Sequence, residues 1–220
     1  MKRIVFLVFA FTLCTFAAVA QHAKPFYNEI QGFKKSDSTQ APPKEAILFV
    51  GSSSFRMWKD VQQAFPQHTI INRGFGGSSL PHLIQYASDI ILPYNARQIV
   101  IYAGENDLAA SDTVSALTVL NRFQQLFYLI RERQPKTPIV FVSIKPSPSR
   151  AHLMPKIVEA NRLVKAFLSQ HKSTAFVDVY HPMLNESGQP KDDIFISDRL
   201  HMNEKGYAIW QKVLAPYLKK

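Results

Sequence analysis

Four short polar segments of this chain each lie beyond an apolar, strand-like run. Gly51–Ser54 follows the first run, Asn72–Ser78 the second and Gly104–Asp107 the third, while Ile196–His201 lies beyond the fifth and just before the last helical pattern. In a parallel sheet the carboxyl ends of the strands share one edge, and ligands bind there. We therefore expect these segments, which are scattered in sequence, to meet at one site.

The residue types in these segments suit nucleophilic catalysis. A serine hydroxyl such as that of Ser53 becomes an effective nucleophile when a neighbouring imidazole takes its proton. Asp198 precedes His201 by three residues and can reach back to its Nδ1–H, which leaves Nε2 free as the base. The backbone N–H groups of Ser53 and Gly77 and the side-chain amide of Asn106 can converge on a developing oxyanion. The predicted catalytic residues are Ser53, Asp198 and His201, and the predicted oxyanion hole is Ser53, Gly77 and Asn106.

Each segment taken alone has a simpler structural explanation. A Gly-Ser step after a strand is a common turn into a helix, a glycine-rich stretch such as Gly74–Gly77 is commonly a tight loop or an anion-binding nest, and Asn106-Asp107 can cap a helix. Arg73 and Glu105 flank the predicted site, where we expect them either to touch substrate or to lie in solvent. The occurrence of all four segments in order favours the catalytic interpretation.

The elements that must position these residues alternate along the chain. Apolar, β-branched runs predict strands over Ala46–Val50, Thr69–Asn72, Gln98–Ala103, Pro138–Ile144 and Thr174–Val179. Helical spacing of apolar residues predicts helices over Leu80–Ile91, Val114–Arg133, Met154–His171 and Glu204–Leu218. This alternation predicts an α/β fold in which helices cover both faces of a central parallel sheet.

The N-terminal residues are predicted to lie outside this fold. Met1–Arg3 is basic, Ile4–Phe16 is apolar, and Ala18–Ala20 has the small-x-small pattern of a cleavage site. We therefore predict a signal peptide over residues 1–20 and an exported product, periplasmic or extracellular. A retained N-terminal anchor is the alternative, and after cleavage no membrane span is expected.

The remainder reads as one catalytic domain over residues 45–220, preceded by a polar lead-in segment over 21–44 that wraps or frays. The chain has 220 residues and a formal charge of +10, which falls to +8 when Lys2 and Arg3 are removed. The basic residues are scattered, so nucleic acid is not expected as a partner. Cys14 is the only cysteine of the sequence, and no metal or cofactor is expected.

In its motifs the chain resembles the SGNH, or GDSL-type, hydrolase superfamily, whose four blocks supply serine, glycine, asparagine and histidine in that order. The matching blocks are Gly51-Ser52-Ser53, the glycine run ending at Gly77, Gly104-Glu105-Asn106-Asp107 and Asp198-Arg199-Leu200-His201. The resemblance implies a flavodoxin-like three-layer α/β/α sandwich with a central five-stranded parallel sheet. It also implies ester hydrolysis through an acyl-serine intermediate on Ser53. Ser52 replaces the aspartate of the first block, which concerns local hydrogen bonding more than the nucleophile.

The leading hypothesis is an exported bacterial serine esterase that acts on a small-molecule or glycan ester, with acetyl esters of carbohydrates favoured. The alternative is a non-catalytic ligand- or glycan-binding module on the same fold, and Ser52 is the feature that supports it. A third interpretation takes Gly51–Ser54 and Gly74–Gly77 as a phosphate or flavin site. The Walker pattern with its lysine is absent from the sequence, which disfavours this interpretation.

Overall fold

The computed structural model describes residues 24–219, and the predicted signal peptide over residues 1–20 lies outside them. The strands are β1 (Ile47–Gly51), β2 (Ile70–Gly74), β3 (Gln98–Tyr102), β4 (Ile139–Val142) and β5 (Thr174–Val177). The α-helices are α1 (Tyr27–Thr39), α2 (Ser53–Arg56), α3 (Val61–Ala64), α4 (Leu80–Gln85), α5 (Ala87–Ile90), α6 (Glu105–Ala109), α7 (Ala116–Arg133), α8 (Met154–Ser169) and α9 (Glu204–Leu214). Short 3₁₀ helices cover Pro148–Leu153, His181–Met183, Asp192–Ile194 and Ala215–Tyr217.

The strands form one parallel sheet in the order β2-β1-β3-β4-β5. Gly51, the last residue of β1, pairs with Gly74 of β2 and with Tyr102 of β3, so these three strands end at the same level. This is the strand order of flavodoxin-like folds. The predicted α/β architecture with a central five-stranded parallel sheet is confirmed.

Helices cover both faces of the sheet and create two separate apolar cores. Along β1, Leu48 and Val50 belong to one core, whereas Ile47 and Phe49 belong to the other. Helices α7 and α8 contribute their apolar residues to the first core, and α9 contributes Trp210 to the second. The strands are therefore buried on both sides, which explains their near-continuous hydrophobicity in the sequence.

All four predicted helices have different bounds in the structure. Two differ slightly, since α7 begins at Ala116 rather than Val114 and α8 ends at Ser169 rather than His171. The helix predicted over Leu80–Ile91 is divided into α4 and α5 at Tyr86, whose φ of −105° and ψ of 9° are not helical. The helix predicted to reach Leu218 ends as an α-helix at Leu214 and continues as the 3₁₀ turn Ala215–Tyr217. Pro216 explains why α9 ends early, because proline has no N–H to continue the α-helical ladder.

The described part of the lead-in segment forms helix α1 rather than a frayed end. Ile30 of α1 is fully buried against the core. Near the end of the helix, Asp37 forms an ion pair with Arg73 of β2 and accepts a hydrogen bond from the hydroxyl of Tyr94. The sequence did not reveal this attachment because the partners of α1, both apolar and polar, come from distant parts of the chain. In the structure the segment is part of the folded domain.

Candidate active site

Ser53 is positioned by an abrupt change from strand β1 to helix α2. A Cβ atom at Gly51 would lie only 2.1 Å from the carbonyl oxygen of Tyr102, so the strand must end at a glycine. Ser52 is extended, with φ −92° and ψ −165°, and its N–H donates to the same Tyr102 oxygen at 3.2 Å. The carbonyl of Ser52 then accepts the N–H of Phe55 and starts the helix. Ser53 is thereby placed at the carboxyl edge of the sheet.

The ring of His201 connects Ser53 to Asp198. Its Nε2 lies 2.9 Å from Oγ of Ser53, and its Nδ1 lies 2.6 Å from Oδ2 of Asp198. The other carboxylate oxygen, Oδ1, accepts the backbone N–H groups of Leu200 and His201, each at 2.9 Å. An ionised carboxylate only accepts hydrogen bonds, so the proton of the neutral ring resides on Nδ1 and Nε2 is free to take another.

The carboxylate of Asp198 is kept ionised by these contacts. Partial burial acts to raise its pKa, but the hydrogen bonds from the His201 ring and from the backbone N–H groups of His201 and Leu200 lower the pKa from 3.8 to about 2. A charged Asp198 favours the protonated imidazole that forms when His201 accepts a proton. This arrangement leaves Nε2 able to accept a proton.

The two ends of the loop that carries His201 are bonded to each other. Phe195 and Met202 form an antiparallel bridge, and the N–H of Ile196 donates to the carbonyl of His201 at 2.9 Å. Asn203 caps helix α9, and its Nδ2 reaches back to the carbonyl of Phe195 at 3.1 Å. These contacts convert the Ile196–Met202 segment into a rigid turn, which fixes the position of the imidazole.

Asn106 lies in the first turn of α6, beside the glycine-rich loop that follows β2. The preceding Gly104 has φ of +112°, a conformation that favours glycine. The Nδ2 of Asn106 donates to the carbonyl of Ser78 at 3.0 Å, and a Cβ at Gly77 would lie 3.8 Å from this same Nδ2. Ser78 also donates through Oγ to the carbonyl of Gly51 at 3.0 Å. The loops after β1, β2 and β3 are thus joined around one small region.

This region lies where the chain reverses its direction of winding. From β1 the chain continues to β2 on one side, and β3 then lies on the other side of β1. A crevice opens at the carboxyl ends of two such strands, and ligands bind in it. Ser53 follows β1 and Asn106 follows β3, so both reach this crevice. The structure places His201 against Ser53, and Asn106 beside Gly77, at this edge of the sheet.

Arg73 does not contribute to the crevice. Its guanidinium is paired with Asp37 of α1, and its Nε donates to the hydroxyl of Tyr94 at 2.6 Å. The side chain is 13% exposed. The prediction that Arg73 touches substrate or solvent is corrected: the residue fastens α1 to the sheet, because a carboxylate partner is available on that side.

Glu105 is likewise turned away from the crevice. The residue is 4% exposed, its Oε2 accepts the hydroxyl of Tyr102 at 2.6 Å, and its Oε1 accepts Nζ of Lys145 at 3.0 Å. Burial acts to raise the pKa of Glu105, but the charges of Lys145 and Arg150 and these hydrogen bonds hold it below its usual value. The predicted contact of Glu105 with substrate or solvent is corrected to a buried ion pair beneath the site.

The loop after β4 supplies residues that were not predicted for the site. Lys145 is fully buried, and Arg150 lies in the 3₁₀ helix Pro148–Leu153. Burial lowers the pKa of Lys145, and the charge of Glu105 opposes this effect. Their position in the sequence could have indicated a role in the site, because Lys145 and Arg150 follow the buried strand β4 and so reach the same edge of the sheet as Ser53.

Within residues 24–219, no group of three or more histidine, cysteine, aspartate or glutamate side chains is placed to hold a metal ion. Across the same range, no helix combines the length and apolar character needed to cross a membrane.

A flavodoxin-like sheet with a serine, a histidine and an aspartate aligned at its carboxyl edge has the layout of an α/β/α hydrolase. The model of the GDSL-like lipase/acylhydrolase family matches residues 39–209, and the chain belongs to this family. The description of the family as lipases and acylhydrolases indicates ester hydrolysis. A search of curated proteins finds no match to the chain.

Solved structures have the same fold. A protein of Streptococcus pneumonia named for platelet activating factor is 25% identical, with a TM-score of 0.75 over 87% of this chain and 92% of that one. A GDSL-like lipase from Bacteroides thetaiotaomicron is 19% identical, with a TM-score of 0.73 over 86% and 96%. A variant of an acetyl-xylooligosaccharide esterase from Geobacillus Stearmophilus is 15% identical, with a TM-score of 0.63 over 81% and 97%.

Proposed function

We propose that the protein is a serine esterase that hydrolyses small-acyl esters through an acyl-serine intermediate. The observation that carries the proposal is the continuous hydrogen-bonded chain from Asp198 through His201 to Oγ of Ser53. Asn106 lies at the neighbouring strand end, where a carbonyl oxygen of the substrate would develop negative charge. Membership of the GDSL-like lipase/acylhydrolase family supports ester bonds as the target.

In the acylation half of the proposed reaction, Oγ of Ser53 bonds to the ester carbonyl carbon while Nε2 of His201 takes the hydroxyl proton. The carbonyl oxygen becomes an oxyanion, which accepts hydrogen bonds from Nδ2 of Asn106 and from the N–H groups of Gly77 and Ser53. The N–H of Ser53 belongs to the first turn of α2, where such groups have no helical partner. When the carbonyl re-forms, the bond to the alcohol oxygen breaks and that oxygen receives the proton from Nε2.

In the deacylation half, a water molecule replaces the departed alcohol. His201 takes one of its protons through Nε2 as the water oxygen bonds to the acyl carbon. The bond between the acyl carbon and Oγ of Ser53 then breaks, and Oγ regains a proton from the imidazole. The carboxylic acid leaves, and the enzyme returns to its starting state.

A short acyl group is proposed because no long insertion separates the segments that carry the site residues, so little chain is available to build a deep acyl channel. Five cavities of about 240 to 380 Å³ within the described chain are lined by residues other than Ser53 and His201. A long acyl chain would require an apolar channel beside the nucleophile. The fold that this chain shares with an acetyl-xylooligosaccharide esterase supports acetylated carbohydrate as the ester.

Ser52 gives limited support to a non-catalytic binding module. The aspartate that it replaces would be expected to brace the turn before Ser53. In this chain the turn is held through the backbone, by the N–H of Ser52 on the Tyr102 carbonyl and the carbonyl of Ser52 on the N–H of Phe55. The nucleophile is therefore positioned without that aspartate.

Covalent labelling with a fluorophosphonate probe separates the enzyme from the binding module. We expect rapid labelling of the wild-type protein, with the adduct mapped to Ser53 by mass spectrometry. A binding module would remain unlabelled. A series of p-nitrophenyl esters and acetylated xylooligosaccharides then tests the substrate, and a preference for long acyl chains would contradict the proposed acyl size.

We also propose that the protein is exported, on the basis of the N-terminal sequence alone. Expression with residues 1–20 intact should yield a mature protein that begins at Gln21, detected by N-terminal sequencing. Recovery of a protein that still carries its first residues would contradict cleavage.

A further inference from the structure

Arg150 approaches Asn106 from the loop after β4. It lies within the 3₁₀ helix Pro148–Leu153, at a kink where its own φ of −119° and ψ of 26° leave helical geometry. The N–H of Arg150 is bonded to the carbonyl of Ser147. This local bend directs a long basic side chain, only 18% exposed, toward α6.

The guanidinium of Arg150 contacts the amide of Asn106. Its Nη1 donates to Oδ1 of Asn106 at 3.1 Å, while Nδ2 of Asn106 donates to the carbonyl of Ser78 at 3.0 Å. A guanidinium has only donors and a backbone carbonyl only accepts, so each end of the amide has one compatible neighbour. Rotating the amide by 180° would place its NH₂ group against the N–H donors of Arg150 and its oxygen against the carbonyl oxygen of Ser78.

Arg150 is itself held by a buried carboxylate. The same Nη1 lies 3.3 Å from Oε1 of Glu105, and this oxygen also accepts Nζ of Lys145 at 3.0 Å. Tyr102 occupies the other oxygen of Glu105 at 2.6 Å. The carboxylate is thus shared between two cations in the protein interior, where screening by water is weak. Arg150 therefore has one well-defined position.

We propose that Arg150 is a positioning residue that fixes the amide of Asn106 with its NH₂ group toward the oxyanion site. This inference rests on the proposed esterase function, since it assigns to Arg150 the orientation of one oxyanion donor. Arg150 acts through Asn106 and not on the substrate itself. Loss of Arg150 should consequently lower the rate of the chemical step and leave substrate binding nearly unchanged.

Steady-state kinetics on p-nitrophenyl acetate test this inference with Arg150→Met. Lys145 still neutralises Glu105 in this variant, so the fold is expected to persist. We expect kcat to fall by about 10- to 100-fold and KM to change by less than about threefold. Arg150→Lys, which keeps a cationic donor, should recover part of the loss. Arg162→Met, which removes an exposed ion pair with Glu159 on α8, is the matched control and should be near wild type.

A double-mutant cycle separates positioning from a merely structural role. In an Asn106→Ala background, Arg150→Met should lower kcat by no more than about twofold further, because the amide that it orients is gone. A full additional loss, an unchanged kcat in the single variant, or a rise in KM alone would overturn the inference. A crystal structure of Arg150→Met with the Asn106 amide in its original orientation would also overturn it.

The two proposals fail in different ways. Wild-type protein that neither hydrolyses esters nor reacts with the fluorophosphonate overturns the proposed function, and the role of Arg150 with it. Active wild-type protein with an equally active Arg150→Met variant overturns the role of Arg150 alone.

Discussion

The carboxylate of Glu29 accepts a hydrogen bond from the backbone N–H of Gly76 at 3.1 Å, one residue before Gly77. The two residues are 47 positions apart, one on helix α1 and the other in the loop after β2. The same carboxylate pairs with Arg56 of α2 at 2.9 Å, and the ring of Phe26 packs edge-on against Phe75 with centroids 5.3 Å apart. Helix α1 therefore supports the loop that carries a proposed oxyanion donor.

Replacing Glu29 with alanine is expected to affect both stability and catalysis. The lost hydrogen bond and ion pair should reduce the free energy of unfolding by about 1–2 kcal/mol. The loosened Gly76-Gly77 loop should lower kcat by about tenfold, because small displacements of catalytic groups are costly. Urea denaturation and ester hydrolysis measure the two effects. Glu159→Ala, which breaks an exposed pair with Arg162, should leave stability close to that of the wild type.

Ser53 and its neighbour Ser54 provide a matched pair of alanine variants that tests the proposed nucleophile. Ser53→Ala should reduce ester hydrolysis by at least about 10³-fold, because no hydroxyl remains for His201 to activate. Ser54 is buried on α2, and its carbonyl accepts the hydroxyl of Tyr207 at 2.9 Å. Ser54→Ala keeps this backbone contact and should retain activity within about threefold. Equal activity of the two variants in an ester assay would contradict the assignment of Ser53.

The turn from Asp178 to His181 has the same Asp-x-x-His pattern as the turn from Asp198 to His201, and it supplies a control for the proposed base, His201. Asp178 accepts the N–H groups of Tyr180 and His181 at 2.9 and 3.2 Å, and its Oδ2 lies 2.5 Å from Nδ1 of His181. The His181 side chain is 75% exposed, whereas that of His201 is 21% exposed and faces Ser53. His201→Ala should lower kcat by about 10³-fold or more, and His181→Ala should leave it unchanged. A comparable loss in both would show that the effect is not specific to the base.

The pKa of Asp198 predicts how its contribution to stability depends on pH. The pKa is lowered from 3.8 to about 2 in the folded protein, so folding favours the charged carboxylate. Its stabilising contribution is therefore present above about pH 4 and is lost as the pH falls toward about 2. The difference in unfolding free energy between wild type and Asp198→Asn should shrink over this interval in urea titrations. A difference that stays constant down to pH 2 would contradict the shift.

The buried pair of Glu105 and Lys145 predicts a strongly non-additive stability effect. Either Glu105→Gln or Lys145→Met leaves a charge without its main partner in the interior, and each should cost about 3–5 kcal/mol. The double variant removes both charges and should cost clearly less than the sum of the single variants. Thermal or urea denaturation measures all three. Additive losses would indicate that the two side chains do not interact as a pair.

The positions of the segments proposed to be catalytic were predictable because they depend on local pattern and on sheet topology. Ser53, Asn106 and the Gly74–Gly77 loop each follow an apolar strand, and parallel strands bring their carboxyl ends to one edge. His201 was accessible through its spacing from Asp198, since a three-residue step suffices to form the turn that the structure shows. These relationships need no knowledge of distant partners.

The supporting charges could not be predicted in the same way. Lys145 contacts a residue 40 positions away and Arg150 one 44 positions away, and neither distance leaves a periodic signal in the sequence. A lysine after a strand is normally expected in solvent. Arg73 and Glu105 were assigned to the correct loops, but their orientation is set by Asp37 and by Lys145. Helix α1 was missed for the same reason, because its attachment depends on partners from other elements.

The order in which the site residues occur along the chain has a consequence for synthesis. The last strand of the sheet ends at Val177, whereas the histidine that faces Ser53 comes only at residue 201 and lies 148 positions after that serine. A growing or truncated polypeptide can contain every strand and still lack His201, the proposed base. Esterase turnover would therefore report that translation has passed the final loop. Two fragments divided between Val177 and Asp198 could serve as a complementation reporter.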